Sequence, residues 1–342
     1  MPRFVPPAGT PIRIVDIIRA LRAAAEGRTD EDAMLALAAR LGMRHAWGVS
    51  SGRGALCVVL RSLRRLRPER TVVALPAYTC FSVAASIVRA GLTLHPLDIN
   101  PDTLDLDRAG IEKLPEETLL CIITPNLLGY VCDIAPIRRV AQQRGAFVLD
   151  NGAQALGSVR DGRFAGTRGD VGIFSLGRGK PISAMEGGLI VADAEAISRA
   201  IASQVDRLRA PRAIHSAYLL LQLAGYAALL HPSRYWIPNA IPFLRLGTTE
   251  FNPHFPIRAL HLLARNLLHV QWDRIGTLHE SRRSNAARLT DGLRASSAFY
   301  IPQPAPGTQA SPVRLPVIAP DERTRALAVT RLRRAGIGAS SF

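Results

Sequence analysis

The chain has 342 residues, 48% of them apolar and 20% charged, which excludes a disordered polymer and suits about two packed domains. Its four cysteines (Cys57, Cys80, Cys121, Cys132) are scattered and contain no CxxC pair, which excludes a disulfide scaffold and a zinc ribbon. Formal net charge is +16, from 43 Lys and Arg against 27 Asp and Glu, yet Lys113 and Lys180 are the only lysines. The arginines run along the whole chain without a nucleic-acid motif. They read as a chain-wide bias that serves solubility and steering towards anions, with no nucleic-acid partner. The first thirty residues lack a continuous apolar core, so no signal peptide is expected and the cytoplasm is the expected compartment.

Residues 12–42 repeat apolar positions at helical spacing and predict one or two helices. From about residue 45 the texture changes. Short β-rich runs at 46–50, 71–75, 92–97, 119–124, 146–149, 171–174 and 188–192 are separated by helical stretches at 54–66, 81–90 and 134–144. Strand–helix alternation with runs apolar on both faces predicts an α/β fold with a mostly parallel sheet flanked by helices. Such sheets bind ligands at the carboxyl ends of their strands. Those ends carry Pro76 to Thr79, Pro125-Asn126, Asp150-Asn151 and Ser175. The run at 217–230 is the most apolar, and it is about six residues short of a bilayer span. It reads either as a buried helix or subunit contact, or as an in-plane membrane or partner-binding helix flanked by Arg207, Arg209, Arg212 and Arg234. Proline-rich aromatic sequence follows to Pro242-Phe243-Leu244. Residues 256–294 are helical again; then come a loop, a strand at 313–318, a helix at 322–335 and Gly336-Ile337-Gly338.

The segment 166–188, GTRGDVGIFSLGRGKPISAMEGG, is the richest in chemistry. It fails as a P-loop, because Pro181 follows Lys180 and Phe174 stands where the first glycine belongs. What remains is a strand ending in Ser175, a glycine-rich turn presenting Lys180, and Glu186-Gly187-Gly188 leading into the next strand. A chain that uses arginine nearly everywhere has kept an amine here, and guanidinium cannot do an amine's chemistry. Lys180 therefore reads as a Schiff-base lysine, with a phosphate-binding lysine as the alternative. Upstream, Gly52, Arg53 and Gly54 open a helix whose free N–H groups suit a phosphate. The DNGAQ run, Asp150 to Gln154, ends a strand where a carboxylate or amide can reach a ligand ring or cap a helix. Tyr78 can stack on a ring or simply pack.

Together these residues resemble the DegT/DnrJ/StrS family of pyridoxal-phosphate aminotransferases, which act mostly on nucleotide-linked keto-sugars within fold type I. The resemblance runs from about residue 48 to 287. GDVGIFSLGRGKPISAMEGG is similar to the family's G-D-x-G-x-F-S-F-x-x-x-K run closing on G-E-G-G, and DNGAQALGS to its E-D-A-A-Q-A-x-G. DINPDTLDLD (98–107) and EFNPHF (250–255) are weaker echoes. The resemblance implies that pyridoxal 5'-phosphate is joined to Lys180, that Gly52, Arg53 and Ser175 hold its phosphate, and that Gln154 touches the ring. It implies a homodimer in which Asn252 reaches the other subunit's cofactor. Tyr78 lies beside the aligned position of the family's ring-stacking aromatic, which falls on Cys80.

Two departures bear on activity. The family's pyridine-nitrogen aspartate falls on Asn151, with Asp150 before it. Asp150 can take the role only if the strand bulges or ends one residue early, because neighbouring strand side chains face opposite ways. The small C-terminal α+β domain also reads as shortened. The expected organisation is a helical segment at 1–44, a large cofactor-binding domain at 45–250 with an apolar insertion near 213–246, and a long helix with the small domain at 251–342. The leading function is amino transfer, with glutamate as the expected donor, to a nucleotide-linked keto-sugar in polysaccharide or sugar biosynthesis. The alternatives are a cofactor-binding homologue with altered chemistry because of Asn151, and a non-enzymatic membrane-surface or partner-binding protein suggested by 217–244.

Overall fold

The structure, a computed structural model, describes residues 3–27, 29–241, 250–294 and 298–341. Two helices come first, α1 (Ile14–Ala25) and α2 (Asp30–Leu41). The Thr29 hydroxyl caps α2 by accepting the Asp32 N–H, and Gly42, at φ +69°, closes its other end. The central α/β unit follows as β1 (His45–Val49), α3 (Gly52–Leu66), β2 (Val72–Pro76), α4 (Phe81–Arg89), β3 (Thr93–Leu97), α5 (Arg108–Glu112), β4 (Leu119–Ile123), α6 (Ile134–Gln143), β5 (Phe147–Asn151), β6 (Val159–Arg160), β7 (Arg163–Phe164), β8 (Val171–Ser175), β9 (Gly188–Ala192) and α7 (Glu195–Val205). Then come α8 (Ala213–Leu229), α9 (Pro232–Asn239), α10 (Leu262–Trp272), α11 (Ile275–Arg294), β10 (Thr308–Gln309) and α12 (Glu322–Arg334).

Among the described residues the main sheet has seven strands in the order β1-β9-β8-β5-β4-β2-β3. All point the same way except β9, which is antiparallel to β1 and β8. Both faces are covered. Val73, Leu75, Leu149, Val171, Ile173 and Ile190 pack under α3, α4 and α7. Their strand neighbours Ala74, Ile122 and Val148 pack under α6, while Phe174, Leu189 and Val191 meet α1, α2 and α10. Covering both faces explains why β4 reads Leu-Leu-Cys-Ile-Ile with every residue buried, where a half-solvated strand would alternate.

Several expectations are corrected. Residues 313–318 form no strand; Ile318 makes a single bridge to Tyr300. Pro316 has no N–H to give to a ladder, which breaks the run. The apolar run 217–230 belongs to α8, but only Leu219 and Leu223 of that helix are buried, so the buried-helix reading fails. Pro242, Phe243 and Leu244 lie outside the described residues.

One tertiary contact gives the fold a measurable pH dependence. Gly157, at φ +88°, lies against the ring of His279 on α11, where an added Cβ would come within 2.2 Å of Cε1. Burial, with Arg282 and Arg283 nearby, pushes the His279 imidazole down to about 4 from its usual 6.5. The unfolded chain therefore takes up this proton first. Stability from His279 is complete above pH 6.5 and is lost as pH falls from 6.5 towards 4, by about 3 kcal/mol. Half-buried Asp105 is pushed up to about 6 by desolvation and acts in the opposite sense over the same range. Chemical denaturation of wild type and His279→Gln across that range separates the two. The wild type's advantage is expected to shrink with acid, and a constant difference would rule the contribution out.

Candidate active site

The ends of β1 and β8 meet the start of β9 at one edge of the sheet. β9 enters so close to the end of β1 that a Cβ on Gly188 would sit 2.4 Å from the Ser51 carbonyl oxygen. This approach brings the start of α3 against the end of β8. Gly52 fits because a Cβ there would lie 2.7 Å from the Ser175 Cβ. Ser51 caps α3, its hydroxyl accepting the Gly54 N–H at 3.1 Å. The N–H groups of Gly52 and Arg53 precede the first intrahelical acceptor and point out of the helix. With Ser175, Glu186, His215 and Arg258 they line a cleft of about 280 Å³. An anion suits this helix start, where backbone N–H groups and the helix dipole act together.

The expected site residues do not all serve the cleft in the same way. The Gly54 N–H is taken by the Ser51 cap and the residue is buried, so Gly54 is corrected from ligand contact to helix start. The Arg53 guanidinium lies 4.7 Å above the Phe255 ring, which Arg89 also covers at 4.7 Å. Burial and the neighbouring Arg89 charge lower the Arg53 pKa. Its side chain thus stacks on Phe255 at the border of the cleft that Arg53 helps to line. The Gln154 side-chain oxygen accepts the Leu128 N–H at 3.0 Å, tying that amide to a strained loop in which Leu128 has φ +58°. Asn252 is exposed, and its side-chain oxygen accepts the His254 N–H. Tyr78 is exposed. Cys80 caps α4 in an extended conformation and its sulfur accepts the Ser82 hydroxyl at 3.1 Å.

Asp150 and Asn151 separate cleanly. β5 pairs with β4 and β8 without a register shift, so it carries no bulge. Asp150 shares the face of Val148, under α6; Asn151 shares the face of Leu149, under α3. Asp150 is buried with both oxygens occupied. One accepts from the Thr124 hydroxyl at 2.8 Å and from the Asn126 amide; the other accepts the Gly166 and Arg168 N–H groups at 2.8 and 2.9 Å. Thr124 in turn accepts the Asn151 N–H at 3.0 Å. The half-buried Asn151 side chain accepts the Ala153 N–H at 3.2 Å.

Lys180 is half-buried in the turn after β8. Burial lowers its pKa; the Arg314 charge acts in the same direction and Cys80 against it. An amine in such surroundings is more often neutral and nucleophilic than a surface lysine. Its backbone is anchored from two distant segments. The Thr10 hydroxyl lies 2.6 Å from the Lys180 carbonyl oxygen and 3.0 Å from that of Pro181, and Arg282 donates to the same hydroxyl at 2.6 Å. Sequence reading missed Thr10, Arg282 and Arg314, which stand more than 100 residues from Lys180 in motifs with no signature. It also missed the Glu186–His215 pair at 2.7 Å in the cleft wall.

A Ser–His pair nearby is not a hydrolytic dyad. The Ser216 hydroxyl lies 2.8 Å from His261 Nε2, but His261 Nδ1 accepts the Leu263 N–H. Nε2 must then carry the proton, and it cannot take one from serine. Among the described residues no group of three His, Cys, Asp or Glu could hold a metal.

The model of the DegT/DnrJ/EryC1/StrS aminotransferase family matches residues 15–342. GDP-perosamine synthase of Caulobacter vibrioides is 32% identical over 149 residues, covering 44% of this chain and 40% of that protein. The UDP-N-acetyl-3-dehydro-alpha-D-glucosamine 3-aminotransferase of Acidithiobacillus ferrooxidans is 33% identical over 156 residues, 45% of this chain and 42% of that protein. The chain thus spans about two fifths of the length of these curated relatives. Among solved structures, E. coli GDP-4-keto-6-deoxy-D-mannose-3-dehydratase with bound hydrated PLP superposes with a TM-score of 0.75 at 19% identity, covering 99% of this chain and 85% of that one. Helicobacter pylori PseC, an aminotransferase of pseudoaminic acid biosynthesis, gives 0.75 at 17% identity, with 98% and 83% covered. At these identities the two structures speak to the fold alone.

Proposed function

The chain belongs to the DegT/DnrJ/EryC1/StrS aminotransferase family, and from that premise we propose that it transfers an amino group from a small-molecule donor, glutamate by preference, to a nucleotide-linked keto-sugar, using pyridoxal 5'-phosphate held beside Lys180. The observation that carries this reading is the placement of Lys180. One of two lysines in 342 residues, it stands in the turn that follows β8 with a lowered pKa, and Cys80, which acts on it, also acts on Arg53 at the start of α3. The working form is a homodimer across which Asn252 serves the partner's cleft. The division into 1–44, 45–250 and 251–342 belongs to the same reading.

The residues present fit the cofactor. Gly52 leaves room that a Cβ would fill, and the Gly52 and Arg53 N–H groups with the Ser175 hydroxyl can hold a phosphate. Pyridoxal phosphate, when bound, supplies an aldehyde that combines with amines and a ring that withdraws electrons from the attached carbon. Lys180 supplies the amine and, once released, takes and returns a proton at its Nζ. Thr10 and Arg282 keep the Lys180 backbone in place during that exchange. Asn151, on the α3 face, can offer the ring nitrogen a neutral hydrogen bond only.

That last point favours a second reading, a cofactor-binding homologue with slowed or altered chemistry. Asp150 cannot replace Asn151 while it holds four donors on the opposite face. One experiment tests both readings. The purified protein mixed with pyridoxal 5'-phosphate should show a band near the border of the ultraviolet and visible that borohydride fixes on the peptide containing Lys180. Bleaching of that band by L-glutamate would support amino transfer. A fixed band with no response to any amino donor would favour the second reading, and no band would end both.

A further inference from the structure

The outer face of α8 is not used by the site described above. From Ala213 to Leu229 the helix contains no Asp, Glu, Lys or Arg. Its inner side is occupied: Leu219 and Leu223 pack into the core with residues of α1 and α10, and His215 meets Glu186. Its outer side leaves Ile214 78%, Tyr218 56% and Leu221 71% exposed, at helical spacings of four and three. α9 adds the exposed Trp236 and Ile237. α1, packed beside α8, exposes Ile14, Ile18 and Leu21, with Arg19 and Arg22 exposed among them.

Large apolar side chains aligned in water mark a surface that is covered in use. Charge says by what. Residues 207–249 carry five arginines and neither Asp nor Glu. Arg207, Arg209 and Arg212 are exposed just before α8, and Arg234 just after it. A second copy meeting this face about a two-fold axis would bring two such arginine sets together, in a chain of net charge +16. An anionic layer with an apolar interior complements both features. At 17 residues α8 is about 26 Å long, and among the described residues no helix is long and apolar enough to cross a membrane, so α8 suits the plane of the interface. Tyr218 and Trp236 are side chains that settle at headgroup level.

We propose that the outer face of α8, with α9, docks the protein on an anionic lipid bilayer. Ile214 and Leu221 enter the acyl boundary, while the flanking arginines sit among the phosphates. This inference is independent of the chemistry at Lys180.

The test is flotation of the full-length, cofactor-loaded protein with vesicles of phosphatidylglycerol and phosphatidylcholine, and with phosphatidylcholine alone, at low and high salt. The protein should float with the anionic vesicles at low salt and stay behind with the neutral ones. Leu221→Glu, at an exposed position, should lower the partition coefficient at least about tenfold while leaving the cofactor absorbance unchanged. No flotation with anionic vesicles, equal flotation with both kinds, or a Leu221→Glu variant that floats like wild type would overturn the proposal. So would a fall in sedimentation mass on making Leu221→Glu, which would assign the face to a second copy.

Discussion

Lys180→Ala is expected to lower the glutamate half-reaction by at least about 10³-fold and to abolish the band that borohydride fixes. The side chain combines two properties that no neighbour can supply. It is an amine, where 41 of the 43 basic residues are arginines, and it is held where burial lowers its pKa. Lys180→Arg should be equally inactive although it keeps a positive charge, because guanidinium stays protonated and is no nucleophile. The fold should survive both changes, since removing a half-buried amine relieves desolvation and leaves the Thr10 contact, which is to the backbone, in place. A small exogenous amine should restore part of the Lys180→Ala rate and none of the Lys180→Arg rate, whose longer side chain fills the space. A Lys180→Ala protein that reacts with glutamate at the wild-type rate would remove the basis of the proposed function.

The second large effect concerns Asp150 and Asn151, which are adjacent in sequence but opposed in space. Asn151→Asp places a carboxylate on the α3 face. A charged hydrogen bond to a ring nitrogen is worth about 1.5–3 kcal/mol, so the half-reaction should rise about 10- to 100-fold. Asp150→Asn should act on the fold. One of its oxygens becomes an amide facing donors, whether the Gly166 and Arg168 N–H groups or Thr124 and Asn126. A loss of about 2–4 kcal/mol in stability is expected, with the rate per folded molecule little changed. Stopped-flow absorbance and chemical denaturation read the two quantities separately. If Asn151→Asp leaves the rate unchanged and Asp150→Asn abolishes it without destabilising, Asp150 acts on the cofactor and the assignment of faces is wrong.

Positive φ at non-glycine residues marks where the chain departs from its own local preferences. Met185, at φ +68°, stands where the related motif has glycine, just before Glu186 and the cleft. Leu128, at φ +58°, forms the loop that takes up the Gln154 oxygen. Left-handed backbone costs a branched or long side chain about 1 kcal/mol or more, and surrounding contacts must hold it there. Here the neighbouring contacts do so: Met185 packs against the core under α10, and Leu128 is buried with Leu127 and Tyr130.

Much of the main sheet was legible from the chain alone because its signals are local. Period and run length mark β2, β4, β5, β8 and β9 within a residue or two, since a strand covered on both faces must be apolar throughout. The Lys180 turn was legible because an amine is conspicuous in an arginine-rich chain. The segment 313–318 misled because apolar composition resembles a strand, whereas the missing N–H of Pro316 prevents a ladder. The chain left the exposure of α8 open between a covered and an in-plane helix, because an apolar helix looks the same whether its outer side meets protein or solvent.

By itself, then, the sequence determined the alternation of elements, the turn that presents Lys180 and the helix start at Gly52, because each depends on residues near one another along the chain. The tertiary structure decided which of two neighbouring residues lies on the α3 face of the sheet, that Thr10 and Arg282 anchor the Lys180 turn, and that α8 leaves Ile214, Tyr218 and Leu221 exposed. Those outcomes depend on strand register and on packing between segments more than 100 residues apart, and no local pattern encodes that distance.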